Sequence, residues 1–99
     1  MHSTVEECAL VYLELVCGYV TWIKEKREGF ARSYGQAWVD EIGSDVHRFP
    51  PFLKGALLSW NLELRTIERV LGLTPEEVAK IDREYGVERY EGNEELSYE

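Results

Sequence analysis

Cysteine, histidine, methionine and proline are scarce in this 99-residue chain, with two Cys, two His, one Met and three Pro. Each shortage excludes something. Cys8 and Cys17 fall nine positions apart within one predicted helix. At about 1.5 Å rise per residue they stand more than ~13 Å apart, on opposite faces. A disulfide needs Cα atoms within about 7 Å, so an internal bridge is excluded. No C-x-x-C pair and no Glu-x-x-His pair is present. Glu6-Glu7, Asp40-Glu41 and Asp45-x-His47 are the tempting clusters, and none meets a metal-ligand spacing. They are read as solvated surface groups, and neither metal nor cofactor is expected. The chain also lacks a phosphate-cradling glycine loop, a dinucleotide turn and a G-x-S-x-G elbow. Its two thiols lie in an apolar helix with no predictable basic partner to activate them. Catalysis has no motif to rest on, and the chain reads as non-enzymatic.

A long hydrophobic run is missing too. The greasiest stretch, from Cys8 to Val20, is interrupted by Glu14, whereas a membrane-spanning helix needs about 20 apolar residues. A core helix is expected, and no membrane. Two free thiols without a signal-peptide pattern predict a cytoplasmic setting.

Positive charge is in short supply. Eleven Lys and Arg face nineteen Asp and Glu, a formal charge of −8. Residues 87–99 (VERYEGNEELSYE) carry half of that excess, with Glu88, Glu91, Glu94, Glu95 and Glu99 against Arg89. A negative field repels phosphate backbones, so nucleic acid is an unfavoured partner. The same carboxylates suggest an alternative in which the tail imitates a nucleic acid before a basic cleft.

What is present points to helices. Apolar residues make up 44% and charged residues 30%, which is the composition of a folded domain. One domain is expected over residues 1–86, followed by a mobile acidic tail at 87–99. Residues 3–28 form the first predicted helix. Ser3 or Thr4 caps it, Glu6 and Glu7 occupy its first turn, and Lys24, Lys26 and Arg27 gather near its end. Val5, Ala9, Tyr12, Leu13, Val16, Val20 and Ile23 share one face, with Leu15, Tyr19 and Trp22 on one flank and Leu10 and Cys17 on the other. A helix apolar nearly all round should be buried nearly all round.

A second helix is predicted over 30–42, where Phe30, Tyr34, Ala37, Trp38 and Ile42 repeat at helical spacing and Gly43 is a natural stop. Pro50-Pro51 breaks the chain next. Over 51–71, Leu53, Leu57, Trp60, Leu64, Ile67 and Leu71 are spaced four, three, four, three, four, the pattern of a bundle seam. Lys54, Asn61, Arg65 and Glu68 mark its expected wet side, while Leu58 and Leu62 widen the apolar face. A last helix is predicted over 75–85, with Thr74 and Glu77 forming a capping box around Pro75. The fold class is therefore all-α, a small four-helix domain.

The tight joint at 72–75 raises a helix-turn-helix alternative, a DNA-binding regulator. Against it, the last helix would present Glu76, Glu77, Asp82 and Glu84 with only Lys80 and Arg83, and acids stand where recognition helices meet bases. Helix-stop and helix-start chemistry explains the joint without DNA. The favoured expectation is a non-catalytic interaction or regulatory protein, a homodimer through its apolar helices, with a further protein partner of unknown identity. Tyr12, Leu15, Tyr19, Trp22, Leu58 and Leu62 are the expected interface. Lys24, Lys26, Arg27 and Arg32 form a basic patch suited to an acidic partner, including the Glu88, Glu91, Glu94 and Glu95 tail of a neighbouring subunit.

Overall fold

A computed structural model describes residues 4–43 and 45–92. It is all-α: α1 (Thr4–Tyr34), a single turn α2 (Gln36–Trp38) running into a π-helical turn (Val39–Gly43), a 3-10 turn (Val46–Arg48), α3 (Pro51–Leu71) and α4 (Pro75–Tyr85). No strand occurs among the described residues.

The first boundary differs from expectation. The helix does not end before Gly29 but continues to Tyr34, and the chain breaks at Gly35, where φ is +95°. Glycine inside a helix costs roughly 0.5–1 kcal/mol relative to alanine. Continuing the helix keeps Phe30 on the same stripe as Ile23, and both are buried, which is worth about 1.5–3 kcal/mol for an aromatic of that size. Burial outweighs propensity at Gly29. Gly35 then supplies the positive φ that no side-chain-bearing residue adopts readily. The rest of the predicted second helix survives only as the short α2 and π turns. Phe30, Tyr34 and Trp38 form an aromatic cluster across that bend, with Trp38 centroids 5.3 Å from Phe30 and 4.9 Å from Tyr34.

Helices α1 and α3 make an antiparallel hairpin. Tyr12 meets Glu68 and Tyr19 meets Asn61, so numbers rise along one helix as they fall along the other. Tyr12, Val16, Tyr19 and Ile23 of α1 are buried against Leu53, Leu57 and Leu64 of α3. Trp60, Ile67 and Leu71 complete the seam as half-buried side chains. Val39, Val46 and Phe49 close one end of the core, with the rings of Phe30 and Phe49 packed edge to face at 5.3 Å.

The joint between α3 and α4 follows its local chemistry. Gly72 ends α3 in the left-handed conformation at φ +69°, and the Leu73 N–H returns to the Glu68 carbonyl. Thr74 Oγ1 accepts from the Glu77 N–H at 3.1 Å while the Glu77 carboxylate accepts from the Thr74 N–H at 2.8 Å. Both halves of the capping box are formed. No described helix is long and apolar enough to cross a membrane.

Residues 87–92 differ from the mobile tail expected of them. Val87 is 9% exposed and Tyr90 is fully buried, so the packed body extends beyond Gly86. Residues 93–99, with Glu94 and Glu95, lie outside the described residues.

Candidate interaction surfaces

The C-terminal segment lies across α3, and polar side chains hold it there. Asn61 and Glu68, assigned by periodicity to the wet side of α3, are only 1% and 4% exposed. The segment itself covers them and supplies their partners. Asn61 Oδ1 accepts from the Tyr90 N–H at 3.1 Å, and Asn61 Nδ2 donates to the Leu57 carbonyl and to the Tyr19 hydroxyl. The Tyr19 hydroxyl in turn donates to the Glu88 carbonyl. Burial pushes the Tyr19 hydroxyl above its ordinary pKa, against the opposing effect of the Asn61 hydrogen bond. The Tyr90 ring sits between Lys54, 5.6 Å from its centroid, and the His47 ring at 5.2 Å.

Glu68 is the hub of the second half of this web. Its carboxylate accepts from the Tyr12 hydroxyl at 2.7 Å, from Arg89 at 2.7 Å and from Arg65 at 3.2 Å. Arg89 also donates twice to Asp82. Burial would lower the Arg89 pKa, but its hydrogen bonds to Asp82 and Glu68 outweigh that and raise it. Burial, reinforced by the Glu68 carboxylate, pushes Tyr12 up to about 12. Arg65 reaches from Glu68 to Glu91, and the Glu91 hydrogen bond holds its pKa above the usual arginine value.

One member of the basic patch and one acid of the expected tail meet within the chain. Arg27 donates to both Glu88 carboxylate oxygens, at 2.8 and 2.7 Å. Lys26 lies 5.8 Å from the Trp22 ring centroid, and Lys24 and Arg32 are exposed.

The six expected interface residues do not share one surface. Tyr12 and Tyr19 are 2% and 0% exposed within the chain's own core, so neither offers a contact area to another molecule. Each carries a hydroxyl that the buried web requires, which turns it inward. Leu58 and Leu62 are exposed on the flank of α3 beside the C-terminal segment, around a hollow of about 310 Å³ shared with Arg65, Arg69 and Glu91. Leu15 and Trp22 lie on the other flank, half-buried. Cys17, expected in apolar surroundings, is exposed, and Cys8 is half-buried.

That other flank is built from residues of both long helices. From α1 it takes Cys8, Val11, Leu15, Gly18, Trp22, Lys26, Gly29 and Ser33. From α3 it takes Phe52, Ala56, Trp60, Glu63, Ile67 and Val70. At ~100° per residue each set falls on one side of its helix. Three hollows run along this face. One of about 170 Å³ lies between Glu7, Cys8, Val11, Ile67 and Val70. One of about 330 Å³ is bordered by Leu15, Ala56, Ser59, Trp60 and Glu63. The third, about 650 Å³, is lined by apolar Phe30, Tyr34, Phe52 and Leu53, by Gly29 and Ser33, and by two acids and two bases, Glu25, Glu28, Lys26 and Arg32. Val11, Val70 and Phe52 are 51%, 66% and 79% exposed. At mid-face the Trp60 ring lies over Gly18, where a Cβ would come within 3.4 Å, and 6.1 Å from the Trp22 ring. A signal for this face was present in the sequence, as apolar residues on the two sides of α1 that its core stripe does not use.

Among the described residues no group of three His, Cys, Asp or Glu side chains is arranged to hold a metal ion. The outward side of α4 carries Glu76, Glu77, Lys80, Arg83 and Glu84, all exposed. Neither family models, nor curated proteins, nor solved structures match this chain.

Proposed function

We propose that this chain is a non-catalytic interaction protein of the regulatory kind, acting in the cytoplasm as a homodimer through the apolar flank of the α1–α3 hairpin. The observation that carries this reading is the line of three hollows along one flank, bordered by Val11, Val70 and Phe52, each more than half exposed. Large apolar side chains left exposed along one flank of a small domain are the kind of feature found at association sites. From residue 8 to residue 33 the face is roughly 37 Å long at helical rise. Two helices at their usual spacing make it roughly 18 Å wide. That gives about 650 Å² per copy and about 1,300 Å² per pair, within the range of specific interfaces. Trp22 and Trp60 at the middle are of the type that dominates binding energy. A second copy is the simplest partner for such a face, since twofold dimers are the commonest assemblies. Two free thiols support the cytoplasmic setting, and the charge of −8 supports a protein partner over a nucleic acid.

Sedimentation equilibrium of the purified chain tests the reading. A particle of twice the 11.5 kDa chain mass is expected at micromolar concentration. A single species at 11.5 kDa across that range removes it.

A further inference from the structure

The hollow of about 310 Å³ on the opposite flank of α3 is lined by Leu58, Asn61, Leu62, Arg65, Arg69 and Glu91. Leu58 and Leu62 are 39% and 63% exposed there. The charges around it do not cancel. Glu91 is the one acid in the lining, and Arg65 engages it while also reaching Glu68. Arg69 is exposed, and its side chain has no hydrogen bond or ion pair among the described residues. The main chain reaches the edge of this hollow at Gly92. There φ is +78°, and a Cβ would stand 3.1 Å from Leu58 Cδ2. Glycine is favoured at 92 on two grounds, left-handed backbone and close approach. The backbone therefore lies directly against one of the two exposed leucines.

We propose that residues 93–99 of the same chain (NEELSYE) occupy this hollow, with Leu96 against Leu58 and Leu62 and a carboxylate of the segment paired with Arg69. Position, reach and charge each select this occupant. The segment starts at the rim, one residue beyond the glycine that touches Leu58. Seven residues span at most about 23–25 Å. Leu58 and Arg69 are about 17 Å apart along α3 at helical rise, so the whole hollow lies within reach. The segment holds Glu94, Glu95 and Glu99 and no base, opposite in sign to the unengaged Arg69. Its apolar members, Leu96 and Tyr98, match two leucines that α3 otherwise leaves to water. Attachment through Gly92 presents the segment at an effective concentration of roughly millimolar order, which a separate acidic peptide does not match at micromolar protein. The proposal is independent of self-association, because it concerns the flank of α3 that the dimer does not use.

The contact is shallow, and an exposed ion pair adds little to stability, so the test reads proximity by NMR on the full chain. Nuclear Overhauser cross-peaks are expected from Leu96 to the methyl groups of Leu58 and Leu62, and they are expected to persist on tenfold dilution. In a mixture of 13C-labelled and unlabelled chains they are expected within the labelled chain and absent between chains. Arg69→Glu, at an exposed position, is expected to leave the helices intact and to reduce the cross-peaks by about half or more. Combining it with Glu94→Lys, Glu95→Lys and Glu99→Lys restores opposite signs, and the cross-peaks are expected to return. A wild-type chain with no cross-peak from residues 93–99 to either leucine overturns the proposal. So do cross-peaks that Arg69→Glu leaves at full strength, or that fail to return in the combined variant. Cross-peaks found only between chains also overturn it, and assign the hollow to a second copy's segment. None of these results bears on whether the Val11 flank pairs two copies, which sedimentation decides separately.

Discussion

The Tyr12 hydroxyl donates to the Glu68 carboxylate at 2.7 Å, joining residues 56 positions apart at the point where α1, α3 and the C-terminal segment meet. Glu68 is 5% exposed at its side chain and is also paired with Arg89, itself 15% exposed. Removing one partner of a buried pair leaves the other charge without compensation, and the loss is typically about 3–5 kcal/mol. Glu68→Ala is expected in that range by denaturant unfolding. Tyr12→Phe removes a single hydrogen bond to a charged acceptor and is expected to cost about 1.5–3 kcal/mol. A Glu68→Ala chain as stable as wild type would show that the web is not what holds the C-terminal segment.

Stability at high pH follows from the same pair. Tyr12 is pushed up to about 12 by burial and by Glu68, while an unfolded tyrosine titrates near 10. The raised value means that the folded chain keeps its proton where the unfolded chain has lost it. The stabilisation is complete below about pH 10 and is lost as pH rises through about 12, because the unfolded state then binds fewer protons than the folded state. Tyr19, also raised by burial, acts in the same direction. Chemical denaturation followed between pH 9 and 12 is expected to show falling stability, with a shallower slope in Tyr12→Phe. A slope unchanged by that substitution would remove Tyr12 as its source.

The Arg27–Glu88 pair provides the contrast. It is bidentate, but its side chains are 24% and 39% exposed. Partly exposed pairs contribute about 0–1 kcal/mol and weaken with salt. A double-mutant cycle on Arg27→Ala and Glu88→Ala is expected to give a coupling below about 1 kcal/mol that shrinks further in high salt. Tyr90→Ala, by comparison, empties a fully buried site and is expected to cost about 3–5 kcal/mol. If both changes proved equally mild, residues 87–92 would be held by something other than the Tyr90 ring.

The parts of this fold that were legible in the sequence are those determined over short distances. The seam of α3, the capping box at Thr74 and Glu77, and the stop at Gly72 depend on residues within a turn or two of one another, and all are formed. Gly29 and Gly35 show where local reading fails. Both are stop residues by type, and only the tertiary burial of Phe30 decides between them. Asn61 and Glu68 failed for a related reason. Helical spacing placed them at the polar edge of α3, but Tyr90 and Arg89, their partners from the C-terminal segment, arrive 29 and 21 positions later. The outer flank of the α1–α3 hairpin was half visible. Leu15, Tyr19 and Trp22 share one flank by helical spacing, but Leu15 and Trp22 are half-buried while Tyr19, like Tyr12, is drawn into the core by its hydroxyl partners.

The two flanks of α3 can be told apart by charge insertion. Val11 and Val70 border the hollow of about 170 Å³ on the α1–α3 flank, and Leu62 stands on the opposite flank. All three are more than half exposed, so a carboxylate at any of them remains solvated in the monomer, and the change in stability should stay within about 0.5 kcal/mol, the range of ordinary surface substitutions. In a dimer built on the Val11 flank, Val11→Asp or Val70→Asp buries that charge against an apolar surface, at a cost of several kcal/mol. Dissociation constants from sedimentation are expected to rise about a hundredfold or more for these two variants and to stay at the wild-type value for Leu62→Asp. Equal weakening by all three would mean that the carboxylates act through net charge. Weakening by Leu62→Asp alone would move the contact to the flank that carries Arg65 and Arg69.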